Sequence, residues 1–240
     1  MKIAVLSDIH GNAVALERVL ADASAMGIRH AFVLGDLFLK GPEPDRVLDL
    51  LSAFHILAWV KGNTDESLAE TPMGYVAQNE AETRLMLYHR YCWDLLTRRT
   101  LDFIGGLDEK AAFTLGKTGI CCVHGSPSSL RQGLDGDTPE GELECALQSV
   151  GEDIILCGHT HKPFEWWKGA RGIVNCGSVG LPADGDPDAC YVELDLSPEG
   201  VKLSHRRVPY SVGQLRIVAL ERDFPEAGSY CEALAAGKPF

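Results

Sequence analysis

The sequence predicts an α/β fold. Short apolar runs of strand length alternate with amphipathic helical stretches over the first quarter of the chain. Three strand–helix units in a row require a parallel sheet with right-handed crossovers. Shorter, alternating strands follow in the second half, and these are expected to form a second sheet packed on the first.

Composition frames that expectation. The chain has 240 residues, room for one large domain or two small ones. It is 45% hydrophobic and 23% charged, which suits a sizeable core. Its formal net charge of -12 argues against a surface that grips long nucleic acid or an anionic membrane, because both need a basic face. Eight cysteines are present, none in a Cys-x-x-Cys pair, so a zinc ribbon or a thioredoxin-like site is not expected. Cys121, Cys122 and Cys157 sit in apolar runs and read as reduced core residues, hence a cytoplasmic protein. The sequence starts straight into a strand with no signal peptide, and no apolar run approaches membrane-spanning length.

The first strand, 2–7, carries the continuous run Ile3-Ala4-Val5-Leu6 of a strand buried on both faces. It ends in Ser7-Asp8-Ile9-His10-Gly11-Asn12, and Asn12 is a good N-cap for a helix over 13–26. The second strand, 31–34, ends in Gly35-Asp36. A turn-rich loop from Leu39 to Pro44 leads to a helix over 45–53. The third strand, 55–60, ends in Lys61-Gly62-Asn63-Thr64-Asp65.

Residues 66–110 break the rhythm and read as a helical insertion in a single domain spanning 1–240. It comprises a loop or short helix over 73–79, a long helix over 81–99 and a short helix or turn over 101–107, with His89 as a packing or surface residue. Strands over 111–115 and 120–123 follow, joined by Gly116-Lys117-Thr118-Gly119, and the second ends in His124-Gly125-Ser126-Pro127. A helix over 139–150 is expected to be capped by Asp137 or Thr138. The strand 153–157 then ends in Gly158-His159-Thr160-His161. Later strands are read over 163–168, 173–175, 189–196 and 201–208. A surface helix is read over 212–220, and the last ten residues carry no clear pattern.

Asp8, His10, Asp36, Asn63, His124, His159 and His161 all stand at strand ends, where open α/β sheets place their active sites. A strand alternates faces, so Asp8 with His10, and His159 with His161, are expected to point the same way. Oxygen and nitrogen donors without thiolates favour manganese, iron, zinc, cobalt or nickel. Seven ligands exceed one tetrahedral ion but suit two ions about 3.5–4 Å apart that share a carboxylate. Two divalent ions outweigh Asp8, Asp36 and a bridging hydroxide, so an acidic protein presents a cationic pocket to an anionic phosphoester.

This ordered series, Asp-x-His, Gly-Asp, Gly-Asn-x-Asp, His-Gly and Gly-His-x-His, resembles the calcineurin-like metallophosphoesterase superfamily. Residues 7–12, 124–127, 158–161 and 175–180 are similar to its small bacterial and archaeal branch, the YfcE-like phosphodiesterases. The resemblance runs from residue 1 to about 208. It implies an α-β-β-α sandwich with two mixed sheets and a dimetal site at the strand ends. It also implies a metal-dependent hydrolase, a phosphodiesterase or phosphatase acting on a small or nucleotide phosphate ester. Asp8, His10 and His161 would hold one metal, Asn63, His124 and His159 the other, and Asp36 would bridge them. A hydroxide between the ions would attack phosphorus, and the implied catalytic set is Asp8, His10, Asp36, Asn63, Asp65 and His124. Two divalent metal ions are expected, manganese first, with iron, zinc, nickel or cobalt as alternatives.

Two departures stand out. Thr64 occupies the position where the protein-phosphatase branch has a leaving-group histidine, so Asp65 lacks its partner and is left to orient a ligand or the loop. The usual Asn-Pro-Gly-Ser is Asn175-Cys176-Gly177-Ser178, and an arginine common in the next loop is Ala183, with Lys40 or Arg131 as substitutes. Without the acid, substrates with good leaving groups fit better than alkyl monoesters. The same superfamily also contains dinucleoside polyphosphate hydrolases and protein phosphatases. A non-catalytic interaction scaffold, as in a retromer subunit of this fold, is the reading from another class; complete ligand positions argue for the enzyme. The expected partner is a small phosphate-ester substrate, not long nucleic acid or membrane, with homo-oligomer formation left open.

Overall fold

The computed structural model describes residues 1–197 and 200–240. The first half runs β1 (Lys2–Leu6), α1 (Ala13–Ala25), β2 (His30–Val33), α2 (Val47–Leu51), β3 (His55–Trp59), α3 (Asn63–Glu70), α4 (Glu80–Leu95) and α5 (Arg98–Gly105). The second half runs β4 (Lys110–Leu115), β5 (Thr118–Val123), α6 (Glu140–Gln148), β6 (Ile154–Cys157), β7 (Pro163–Lys168), β8 (Arg171–Cys176), β9 (Ala189–Ser197), β10 (Gly200–Val208), α7 (Val212–Glu221) and α8 (Ala227–Ala235). Two five-stranded sheets form, ordered β10-β9-β1-β2-β3 and β4-β5-β6-β8-β7. Both are mixed: β1, β2 and β3 are parallel, as are β5, β6 and β8, and the outer pairs are antiparallel.

Alternation along each strand produces the layers. Ile3 and Val5 of β1, with Phe32 of β2, meet Ile120 and Cys122 of β5 and Ile154 and Leu156 of β6 between the sheets. Ala4, Leu6, Ala31 and Val33 point the other way, into the helical layer of α1, α2, α7 and α8. Cys121, Val123, Ile155 and Cys157 face α6. Strands buried on both faces therefore read as unbroken apolar runs. Each large side chain in the inter-sheet seam contributes roughly 1.5–3 kcal/mol, enough collectively to hold one sheet on the other. This is the α-β-β-α sandwich.

Several expectations need correction. The strands β9 and β10 extend the first sheet, because β9 pairs antiparallel with β1. Val192 and Leu194 of β9 complete the inter-sheet core while Tyr191 faces the helices, so the hairpin covers what would be an exposed edge of β1. The second sheet is built from β4 to β8 alone. Residues 63–65, read as the end of the third strand, and 66–70, read as the start of the insertion, together form α3. The long helix read over 81–99 is two: Leu96 is extended, and the Thr97 hydroxyl accepts from Thr100 N at 3.2 Å to start α5. Neither Asp137 nor Thr138 caps α6; Thr138 Oγ1 instead accepts from Asp135 N at 3.0 Å, closing the preceding turn. The last residues form α8, whose Tyr230, Cys231 and Leu234 are buried. No described helix is long and apolar enough to cross a membrane.

Candidate metal centre

The loops after β1, β2, β3, β5 and β6 converge at one end of the two sheets. Asp8 and His10 follow β1, Asp36 follows β2, Asn63 opens α3 after β3, His124 follows β5, and His159 and His161 follow β6. Two glycines let these loops touch. A Cβ on Gly62 would overlap the Asp36 carboxylate, and one on Gly158 would overlap Ser7 and Asp8. Asp8 thereby joins the sheets: its Oδ2 accepts from His159 N at 2.9 Å, and Gly180 N and Ser178 Oγ bond its carbonyl.

Asp8, His10, Asp36, His159 and His161 all have left-handed backbones, with φ between 49° and 70°. Side chains rarely adopt that region, and such conformations gather at functional sites. The finding also corrects the strand-alternation argument. These residues lie beyond the strands, and the two histidines after β6 diverge. His161 Nε2 lies 3.2 Å from His10 Nε2, whereas the His159 ring packs on His124 at 5.1 Å between centroids.

Each of the four histidines donates one ring N–H to a backbone carbonyl. His10 Nδ1 bonds Leu39 O at 2.8 Å, His124 Nδ1 bonds Leu34 O at 2.8 Å, and His161 Nδ1 bonds Leu181 O at 2.7 Å. His159 Nε2 bonds Arg131 O at 3.1 Å. A carbonyl only accepts, so each neutral ring presents a bare lone pair on its other nitrogen. Metal-binding histidines are oriented in this way. The lone pairs then meet other acceptors: His10 Nε2 faces His161 Nε2, and His124 Nε2 lies 2.9 Å from Asn63 Oδ1. Asp8 Oδ1 is buried with no hydrogen-bond donor among the described residues and lies 3.2 Å from His161 Nε2. The Asp36 carboxylate reaches both ways, with Oδ2 at 3.5 Å from His10 Nε2 and Oδ1 at 3.5 Å from His124 Nε2. Facing lone pairs and buried carboxylates repel unless a cation lies among them, and this donor set fits divalent ions. Asp8, His10 and His161 form one compact group, and Asp8, Asp36 and His124 a second.

The electrostatics agree. Burial pushes the Asp8 carboxyl up, but His161 and His10 outweigh it and hold the group well below its ordinary range. Asp36 follows the same pattern, with His124 and His10 pulling it down. Burial lowers His10 and His159, keeping them neutral. Burial opposes charge on His124 too, but Asp36 and Asp8 dominate and raise its pKa.

Asp65 turns away from the cluster. Its Oδ2 accepts from Asp36 N at 2.8 Å and Gly62 N at 3.0 Å, and its Oδ1 from Leu37 N at 2.9 Å. Burial and the Asp36 charge push its pKa up to about 7 against these donors. It ties the β2 and β3 loops together. Thr64 N donates to Asp36 Oδ1 at 2.9 Å, while the Thr64 hydroxyl is buried, has no partner among the described residues and lines the site cavity. Of the two candidate cations, Lys40 lines that cavity, whereas Arg131 pairs with Glu66 at 2.5 Å on a side chain 60% exposed. His89 is a packing residue, buried between Ser67 and the Leu85 carbonyl.

The orienting carbonyls of Leu34, Leu39, Arg131 and Leu181 left no trace in the sequence, since any residue supplies a carbonyl. Phe240, which also lines the cavity, was equally hidden. The bracing role of the 175–178 motif was open to reading: Asn175 Nδ2 donates to Gly158 O at 2.7 Å, and Ser178 Oγ accepts from Leu181 N at 2.8 Å.

Residues 1–198 match the calcineurin-like phosphoesterase superfamily domain. The chain belongs to that superfamily. It is a metallophosphoesterase, and the family implies divalent metal ions. The phosphoesterase is 30% identical over 204 residues to phosphodiesterase YfcE of Escherichia coli K12, covering 81% of this chain and 88% of that protein. An uncharacterised protein of Methanocaldococcus jannaschii is 26% identical over 242 residues, covering 93% of this chain and 94% of that one. Among solved structures, a metallophosphoesterase from Sphaerobacter thermophilus superposes with a TM-score of 0.78 at 25% identity over 99% of both chains. A hypothetical protein from Pyrococcus horikoshii shares the fold, with a TM-score of 0.84 at 20% identity over 100% of this chain and 99% of that one.

Proposed function

We propose that this phosphoesterase hydrolyses small phosphodiesters with two divalent metal ions, manganese first among them. The carrying observation is the set of oriented histidine lone pairs that face other acceptors across Asp8 and Asp36. In this reading Asp8, His10 and His161 would hold one ion, Asn63, His124 and His159 would hold the other, and Asp36 would serve both. That shared role is supported by the two Asp36 oxygens, each 3.5 Å from a histidine of a different group. Bound ions would supply an activated water and positive charge for the phosphoryl oxygens.

The chain's own residues do the rest. Four backbone carbonyls keep the rings aimed, with the other nitrogen of each turned inward. Asp65 holds the Asp36 loop through the amides of Gly62, Asp36 and Leu37. Lys40 offers the substrate an ammonium group. Thr64 cannot replace a histidine as an acid, because an aliphatic hydroxyl gives up its proton far too reluctantly. That favours diesters with good leaving groups over alkyl monoesters. The phosphodiesterase relative supports the same choice. All eight cysteines are free and seven are buried, which suits a cytoplasmic location. The partner is a small phosphate ester; the acidic surface suits neither long nucleic acid nor a membrane.

The test is hydrolysis of bis-p-nitrophenyl phosphate and p-nitrophenyl phosphate by metal-stripped protein, with and without manganese. Manganese-dependent turnover of the diester is expected. Asp36→Asn should lower it by more than about 100-fold, beyond what losing a ligand's orienting partner costs. Turnover of the monoester alone would overturn the diesterase reading. Two bound metals with no turnover of either ester would favour the scaffold.

A further inference from the structure

A second cavity, about 340 Å³, adjoins the one over the metal centre. Lys40, Ala81, Arg84, Leu85, Tyr88 and Phe240 line it. The metal-site cavity, about 230 Å³, is also lined by Lys40 and Phe240, so these two residues are common walls. The second cavity is built from α4 and the 236–240 segment, both outside the metal-ligand motifs.

Its chemistry is specific. Two aromatic rings line it, Phe240 packing edge-on against Tyr88 at 5.8 Å, and the fully buried Tyr230 backs Phe240 at 5.1 Å. The Arg84 guanidinium lies over the Phe240 ring at 5.0 Å from its centroid. Glu226 anchors this wall, pairing with Arg84 Nε at 2.6 Å and accepting from the Tyr88 hydroxyl. Ala81 and Leu85 add apolar surface. Lys40 stands between the two cavities on a left-handed backbone with φ 77°, and among the described residues its ammonium makes no hydrogen bond or ion pair. A partly buried, unpaired cation beside a metal site suits an anion in that site. A guanidinium-faced aromatic wall suits a planar ring.

We propose that this cavity is a substrate subsite that takes a planar aromatic arm of the phosphodiester, such as a nucleobase, with Lys40 at the phosphate and Arg84, Tyr88 and Phe240 against the ring. The inference rests on the phosphoesterase reading of the metal centre and names the substrate class it serves. Because Lys40 and Phe240 line both cavities, a phosphate in the metal-site cavity has the second cavity directly beside it across their shared wall.

The test compares two esters with the same leaving group, thymidine 5′-(p-nitrophenyl phosphate) and methyl p-nitrophenyl phosphate, on the manganese-loaded full chain. The wild type should favour the thymidine ester by about tenfold in kcat/KM, mainly through KM, as one ring-stacking contact gives. Ala81→Trp fills the cavity from the α4 side and should bring the ratio within twofold. Leu87→Trp, on the exposed side of α4, should keep it. A wild-type ratio within twofold, or a tenfold ratio that survives Ala81→Trp, overturns the proposal. If neither ester is hydrolysed, the hydrolase reading has failed, and binding decides the subsite separately. Thymidine 5′-monophosphate should then bind about tenfold more tightly than methyl phosphate by calorimetry, and equal affinities overturn it.

Discussion

Gly158→Ala should damage both the junction of the two sheets and the metal centre. The new Cβ would sit 2.7 Å from Ser7 Cβ, and closer still to Ser7 Oγ and Asp8 Oδ2. Carbon contacts settle near 3.5–4.0 Å, so a neighbour must move by about 1 Å. Both neighbours are fully buried. Ser7 Oγ holds the Leu34 carbonyl at only 3.3 Å and can rotate away. Asp8 Oδ2 cannot move without losing its 2.9 Å bond from His159 N. Overpacking a core costs about 1–3 kcal/mol. Losing a hydrogen bond to a charged group adds about 1.5–3 kcal/mol. The expected loss is about 2.5–6 kcal/mol, a large share of the roughly 5–15 kcal/mol that holds a domain together. Urea unfolding of the metal-free protein measures it, and calorimetry measures manganese affinity, which should fall more than tenfold because Asp8 Oδ1 moves with Oδ2. Ser7→Ala in the same chain should recover only part of the loss. A destabilisation below 1 kcal/mol with manganese affinity within twofold of wild type would refute this account of Gly158.

Other outcomes follow from the same contacts. Phe32→Ala empties the middle of the inter-sheet seam, where Phe32 packs on Phe113 at 5.1 Å; urea unfolding should report a loss of about 3–5 kcal/mol. Thr64→His places an imidazole where the hydroxyl lines the cavity, and should raise turnover of an alkyl monoester such as glycerol 2-phosphate at least about tenfold relative to p-nitrophenyl phosphate, whose leaving group needs no acid. The pH dependence has a definite sign. His124 has a raised pKa in the folded protein, so its ion-pair contribution is present below the ordinary imidazole value and lost as pH rises through the raised one. Manganese needs the same ring neutral. The rise in Tm on adding manganese should therefore be larger at about pH 8 than at about pH 6; the reverse order would contradict His124 as a ligand.

The sequence alone determined which residues meet at the site and roughly where. Runs such as Ile3 to Leu6 and Ile154 to Cys157 are apolar on both faces because both sheets are covered on both sides. The polar residues that break those runs mark the strand ends, and parallel strands carry their C-terminal ends to one edge. So Asp8, His10, Asp36, Asn63, His124, His159 and His161 were all legible, as was the α1 cap at Asn12, whose side chain accepts from Ala15 N at 3.0 Å.

Tertiary structure decided the rest, because the forces involved act between residues far apart in sequence. His159 and His161 diverge through left-handed backbone geometry, which neither residue type announces. The carbonyls that aim the four rings come from Leu34, Leu39, Arg131 and Leu181, residues with no chemical mark. The β9–β10 hairpin joined β1 rather than the second sheet because burying Val192 and Leu194 there completes the seam, a choice local alternation cannot make. Phe240 reached the site because α8 buries Tyr230 and Leu234 against the helical layer and delivers the following residues to its rim. Pattern along the chain marks candidate ligands; packing across it aims them.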